Sequence, residues 1–142
     1  MPESWAIRTF VIEDYPQVRE LWADGGPGVS LRPSDELPEI EKRLQRDPEL
    51  FMVAVEGERI VGVIMAGWDG RRGTLSHLVV SQDRRGCGIG SALVAEAEER
   101  LRALGCLRTH LLVFRGNTRA SELYEHLGYE AMESILVMGK DL

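Results

Sequence analysis

Hydrophobic spacing along the chain switches repeatedly between a two-residue and a 3.6-residue period, and each switch marks an element. Residues 6–11 alternate weakly and carry β-branched side chains, which predicts a first strand. Asp14 can cap the helix that follows, Pro16 suits its first turn, and Val18, Leu21 and Trp22 form its apolar stripe. Asp24-Gly25-Gly26-Pro27-Gly28 breaks that stripe and opens a loop reaching about Pro33. A second helix is expected from Ser34 or Asp35, with Leu37, Ile40 and Leu44 inward and Asp47-Pro48 at its end. Apolar runs at 50–55 and 60–68, joined by Glu56-Gly57-Glu58-Arg59, predict a hairpin. A turn over 69–73 then leads into a strand at 74–80.

Beyond that strand, Ile89, Leu93, Ala97, Leu101 and Leu104 recur at helical spacing, with Gly105 as the stop. Residues 107–114 predict another strand. Asn117 can cap a short helix holding Ala120, Leu123, Tyr124 and Leu127, closed by Gly128, and residues 129–138 read as a last strand. The order β-α-α-β-β-β-α-β-α-β, with room for a final hairpin, implies an α+β (mixed α/β) protein with helices on both faces of a sheet.

Composition narrows the partners. A chain of 142 residues, 44% hydrophobic, suits one domain over 1–142. The start MPESWAIRTF has no signal-peptide pattern, and no apolar run reaches the roughly 20 residues that span a bilayer, so a cytoplasmic protein with no membrane partner is expected. A net charge of −6 argues against nucleic acid as a partner. Cys87 and Cys106 make no disulfide framework, and with His77, His110 and His126 scattered, no metal site is expected.

The chemistry concentrates between the strand at 74–80 and the helix after it. Gly86, Gly88 and Gly90 stand where that helix begins, although glycine costs about 1 kcal/mol against alanine in a helix. Glycine permits positive φ and lets backbone approach a ligand, and a helix N-terminus offers free N–H groups and partial positive charge. With Arg84 and Arg85 alongside, this turn has the makings of an anion seat for a phosphate or pyrophosphate. A P-loop requires Gly-Lys-Ser/Thr, which is absent, and a dinucleotide fingerprint fails at Ser91 and lacks an acid over 107–114.

Arg85-Gly86-Cys87-Gly88-Ile89-Gly90 after a strand resembles the acetyl-CoA pyrophosphate loop of the GNAT N-acetyltransferase superfamily. The run Asn117, Ala120, Leu123-Tyr124-Glu125, Leu127-Gly128-Tyr129 resembles its second signature, and the element order is also the same. Leu31-Arg32-Pro33, Gly67, Asp69-Gly70 and Arg72-Gly73 make the chain similar to small bacterial YpeA-type acetyltransferases. The resemblance implies a mostly antiparallel, twisted sheet of six to seven strands. It implies an acetyl-CoA-dependent transfer to a primary amine, on a small molecule, a protein N-terminus or a lysine, by direct attack in a ternary complex. An acyl-CoA-binding module with weak catalysis, acting through a partner protein, is the alternative. A homodimer is compatible with either.

By the same resemblance, backbone groups of Leu78, Val79 and Val80 pair with the pantetheine arm, although the run also reads as ordinary core. Arg85, Gly86, Cys87, Gly88, Ile89, Gly90 and Ser91 cradle the pyrophosphate. Asn117 contacts the cofactor near its pantetheine end, caps its helix, or both. Tyr124 is the implied proton donor to the departing thiolate, and a backbone N–H around Leu78 the implied oxyanion donor. Cys87 at a helix start beside arginine invites a lowered pKa, yet no catalytic role is assigned to it. An alkylammonium with a pKa near 10.4 must lose a proton before its nitrogen attacks. The positions that carry glutamate in related enzymes are Thr74 and Leu112 here. Ser76, His77 and Asp69 remain as candidate bases, and the acceptor is left to the loop at 25–33 and the two hairpin turns.

Overall fold

The computed structural model describes residues 4–26 and 29–142. Positions 27 and 28, inside the loop expected before Pro33, therefore lie outside the described residues. The first strand is β1, Ala6–Thr9. Helix α1 covers Tyr15–Ala23 and α2 Leu37–Arg46, each starting with a proline in its first turn, where the missing N–H costs nothing. Three strands follow as an antiparallel meander: β2, Phe51–Glu56; β3, Arg59–Trp68; and β4, Gly73–Val80. Helix α3 is Ile89–Ala103, β5 is Thr109–Leu111, and α4 is Thr118–His126. The sheet runs β1-β2-β3-β4-β5, antiparallel throughout except for the parallel β4–β5 pair. No described helix is long and apolar enough to cross a membrane.

Both faces of the central strands are buried, which is why residues 50–55 and 60–66 are continuously apolar and do not alternate. One face carries Met52, Ala54, Ile64 and Leu75 under Leu93, Ala97 and Leu101 of α3. The other carries Phe51, Val53, Val63 and Val79 under Val18 and Trp22 of α1 and Ile40 of α2. Phe10 stacks on Phe51 with centroids 3.9 Å apart, sealing the second layer.

Two expected helix starts differ in detail. Asp14 precedes α1 but does not cap it. Its carboxylate accepts both guanidinium nitrogens of Arg8, at 2.7 and 2.9 Å, and the Val11 N–H at 2.9 Å. Asp35 sits in a short 3-10 turn, Pro33–Asp35, two residues ahead of α2, because its side chain is committed elsewhere. The strand expected at 107–114 is confined to three residues, and no strand forms over 129–138, so the described sheet has five strands where six to seven were expected. An apolar run becomes a strand only against a hydrogen-bonding edge. Ile135, Leu136, Val137 and Met138 are exposed and pair with none.

Candidate active site

The site is a gap in the sheet. Only Gly73, Thr74 and Leu75 of β4 pair with β5, opposite Thr109, His110 and Leu111. From 76 to 80 the strand is bonded to β3 on one side and, among the described residues, has no partner strand on the other. A strand left open along one edge presents a row of N–H and C=O groups that an extended group can pair with. The cavity there is lined by Ser76, His77 and Leu78 of β4, by Leu112, Val113 and Phe114 beyond β5, and by Asn117, Ala120 and Tyr124 of the α4 region.

Halfway along β4 lies a bulge. Met65 faces Ser76 and Val63 faces Val79, so His77 and Leu78 together oppose Ile64. His77 has φ +54°, the only positive value at a described non-glycine residue. A bulge of this kind re-aims a side chain. It turns His77 toward α1, where its ring meets Trp22 edge-on with centroids 5.0 Å apart, while Leu78 packs with the α3 layer. Nε2 lies 2.8 Å from Asp35 Oδ1. Asp35, 4% exposed, is fixed in turn: Oδ2 accepts the Arg32 N–H at 3.0 Å, and its main-chain carbonyl accepts the Tyr15 hydroxyl at 2.8 Å.

The glycine turn lies next to the gap. Gly86 and Gly88 have φ of +78° and +86°, values that side chains rarely adopt, and a Cβ at either would point into open space. Gly88 is the N-cap of α3 and supplies no side-chain cap. The N–H groups of Ile89, Gly90 and Ser91 precede the first intrahelical bond, from Ala92 N–H to Gly88 O, and stay available to an anion. Ile89 itself is buried in the core, so only its backbone serves the turn. Gly90 answers a different need: a Cβ there would come within 3.3 Å of Leu123 Cδ2, so its absence lets α4 approach α3. Val79 is likewise buried under α1, and Val80 packs against the α3 layer.

The two arginines of the turn part company. Arg84 bonds Glu56 and is not an anion ligand in this arrangement. Arg85 donates to the Val80 carbonyl at 3.3 Å and has no carboxylate partner among the described residues. Its pKa is lowered by burial and by Arg119 on α4, a second guanidinium facing the same region. Among the described residues neither guanidinium pairs with a carboxylate, which leaves both charges available to an anion. Arg119 is absent from the sequence reading, since its position on α4 only becomes relevant once α4 is docked against α3. Cys87 is exposed, and Cys106 is buried.

Asn117 does cap α4, its Oδ1 accepting the Ala120 N–H at 3.2 Å, and it lines the cavity as well. Tyr124 is 6% exposed and meets Tyr129 edge-on at 5.5 Å. Burial, and then Tyr129, raise the pKa of the Tyr124 phenol, so it stays a neutral O–H donor. Tyr129 is tied to Thr109 at 2.9 Å and Glu98 at 2.8 Å, and burial is the main cause pushing its phenol up to about 12. Asp69 is ruled out as a base by its own turn. Its Oδ1 accepts the Arg72 and Arg71 N–H groups at 2.7 Å, and those bonds hold its carboxyl below the usual range. Thr74 and Ser76 are exposed on β4, and Leu112 is exposed beyond β5.

Comparison with known proteins identifies the family and the fold. Residues 15–129 match the model of the Acetyltransferase (GNAT) family. Acetyltransferase SG1711 of Sodalis glossinidius is 41% identical over 137 residues, 96% of this chain and 94% of that protein. In overall fold the chain is similar to Ard1 from Thermoplasma volcanium (TM-score 0.81, 22% identity, 92% of this chain and 85% of that one). It is also similar to the PaiA N-acetyltransferase from Thermoplasma acidophilum, crystallised in complex with coenzyme A (TM-score 0.78, 22% identity, 92% of each chain). The chain thus belongs to the acetyltransferase (GNAT) family and is an N-acetyltransferase.

Proposed function

We propose that this enzyme transfers an acetyl group from acetyl-CoA to a primary amine, by direct attack while both substrates are bound. The observation carrying the reading is the unpaired β4 edge from 76 to 80, which ends at the turn holding Gly86 and Gly88 and opens onto Tyr124. The donor fits the residues present. Free N–H groups at the α3 start, open space at Gly86 and Gly88, and the unpartnered pair Arg85 and Arg119 suit a pyrophosphate. Backbone groups of Leu78, Val79 and Val80 suit the amides of the pantetheine arm, with Asn117 alongside. Coenzyme A bound to PaiA, a protein of the same fold, supports this donor.

The acyl donor supplies a thioester, and the protein supplies position and charge. Leu78 would direct a backbone N–H at the developing oxyanion. Tyr124 would donate its O–H to the departing sulfur. With its phenol pKa raised, full proton transfer is less favourable than for a free tyrosine, so its contribution is chiefly a hydrogen bond to the forming thiolate.

Release of free CoA from acetyl-CoA, followed across spermidine, ethanolamine, an aminoglycoside and peptides with free N-termini or lysines, tests the reading. Turnover with at least one amine and none with the matching alcohols is expected. Tight acetyl-CoA binding without turnover on any amine would overturn it.

A further inference from the structure

We propose that His77 is the general base of the transfer and that Asp35 is its positioning residue, an inference that rests on the amine-acceptor reading above. The sequence singles out none of Ser76, His77 and Asp69 as the base, and Asp69 is taken up by its own turn. His77 is nevertheless built as one. The bulge in β4, with φ +54° at His77, costs backbone energy, and it rotates the imidazole out of the strand's alternation and onto Asp35. A carboxylate oxygen accepts, so in the neutral imidazole Nε2 carries the hydrogen and Nδ1 holds the lone pair. Nδ1 has no hydrogen-bond partner among the described residues and is not among the buried unpartnered atoms, and His77 lines the same cavity as Tyr124.

The placement also separates two proton tasks. Tyr124 packs in the layer under α3, whereas His77 rests on Trp22 in the layer under α1. The gap beside β4 joins them. In this proposal an amine bound in that gap reaches both Nδ1 and the acyl carbon. One N–H proton passes to Nδ1 as the nitrogen forms the C–N bond. The C–S bond then breaks, the Tyr124 O–H holds the departing thiolate by a hydrogen bond, and the sulfur takes its proton from solvent while Nδ1 returns its own to solvent. From a neutral amine the net products are the amide and free CoA, and an alkylammonium sheds one further proton to solvent before its nitrogen attacks.

Asp35 acts through the tautomer. Because the Arg32 N–H holds Oδ2, an Asp35→Asn side chain keeps its oxygen there and turns its NH2 toward Nε2. That forces the imidazole hydrogen onto Nδ1 and removes the base without removing the ring.

The test uses His77→Gly, because glycine adopts φ near +54° freely and the bulge survives. With an amine that the wild type acetylates, CoA release should fall about 10²-fold, the lower range for a general base. Added imidazole should restore at least tenfold of that loss, with the KM for acetyl-CoA unchanged. Asp35→Asn should lower kcat by a similar factor at constant KM. Undiminished turnover in His77→Gly overturns the proposal, as does a loss that imidazole does not lift, which would make the ring a purely structural part. A wild type inactive on every amine overturns the amine reading itself, and the base falls with it.

Discussion

At the scale of single residues, burial decides what each polar group can do. Tyr124 keeps its hydrogen because burial raises its pKa, and in the proposed reaction its contribution is a hydrogen bond to a charged sulfur. Such bonds contribute about 1.5–3 kcal/mol. At about 1.36 kcal/mol per decade of rate, Tyr124→Phe should lower kcat about 10- to 100-fold while acetyl-CoA binding stays the same. A kcat within twofold of wild type would remove Tyr124 from the reaction. Asp14 shows the opposite balance. Burial alone would raise its pKa, but the paired bonds from Arg8 and the Val11 N–H outweigh it and leave the carboxyl below its ordinary value. A depressed folded-state pKa stabilises the protein above the unfolded value of about 3.9, and that contribution is lost as pH falls through the folded value. Asp14→Asn should therefore unfold at lower urea than wild type at pH 7, and the two midpoints should converge in the acid range below about pH 4. Midpoints that stay equally far apart at all pH values would exclude the linkage.

At the scale of elements, close approach between sheet and helix is set by glycine. A Cβ on Gly62 of β3 would stand 2.9 Å from Ile89 Cγ2 and 3.0 Å from Leu93 Cδ1, both buried at the foot of α3. Overpacking of that kind costs about 1–3 kcal/mol. Gly62→Ala should lower stability by that amount in denaturant titrations, and it should weaken acetyl-CoA binding because the start of α3 is what moves. An unchanged midpoint would show that α3 yields without cost. Much of this architecture is legible in the chain. The stripes of α1, α2 and α3 are regular, the meander has turns of Gly, Asp and Glu, and Gly86 and Gly88 advertise positive φ where a helix should start. What stays hidden is non-local. Nothing about a histidine at 77 signals φ +54°, and Asp35 lies 42 positions away. Arg84 and Arg85 look alike in sequence and are separated only by Glu56, which the β2–β3 hairpin brings to Arg84. Residues 129–138 have the composition of a strand, but pairing depends on an edge that composition does not report.

For the whole molecule, the proposed division of work between the layers on either side of β4 rests on one defect in the sheet. Pairing between β4 and β5 stops after three residues, so the protein keeps an open edge through its middle and the groups along it are stabilised only by what binds there. A donor that pairs with that edge and neutralises Arg85 and Arg119 should therefore stabilise the fold globally. Binding only to the folded state contributes about 2.7 kcal/mol at a ligand concentration of 100 Kd. For a chain of this size each kcal/mol moves Tm by roughly 3 °C, so saturating acetyl-CoA should raise Tm by roughly 8 °C. The charge contribution can be separated from the rest. Arg85→Ala and Arg119→Ala, made singly, should each shrink the shift measured at a fixed acetyl-CoA concentration, and added salt should weaken the wild-type shift toward theirs, since exposed charges are screened. Acetyl-pantetheine, which lacks the pyrophosphate, should give a smaller shift that neither substitution changes. If both substitutions left the acetyl-CoA shift intact, the anion would have to be held by the α3 backbone alone.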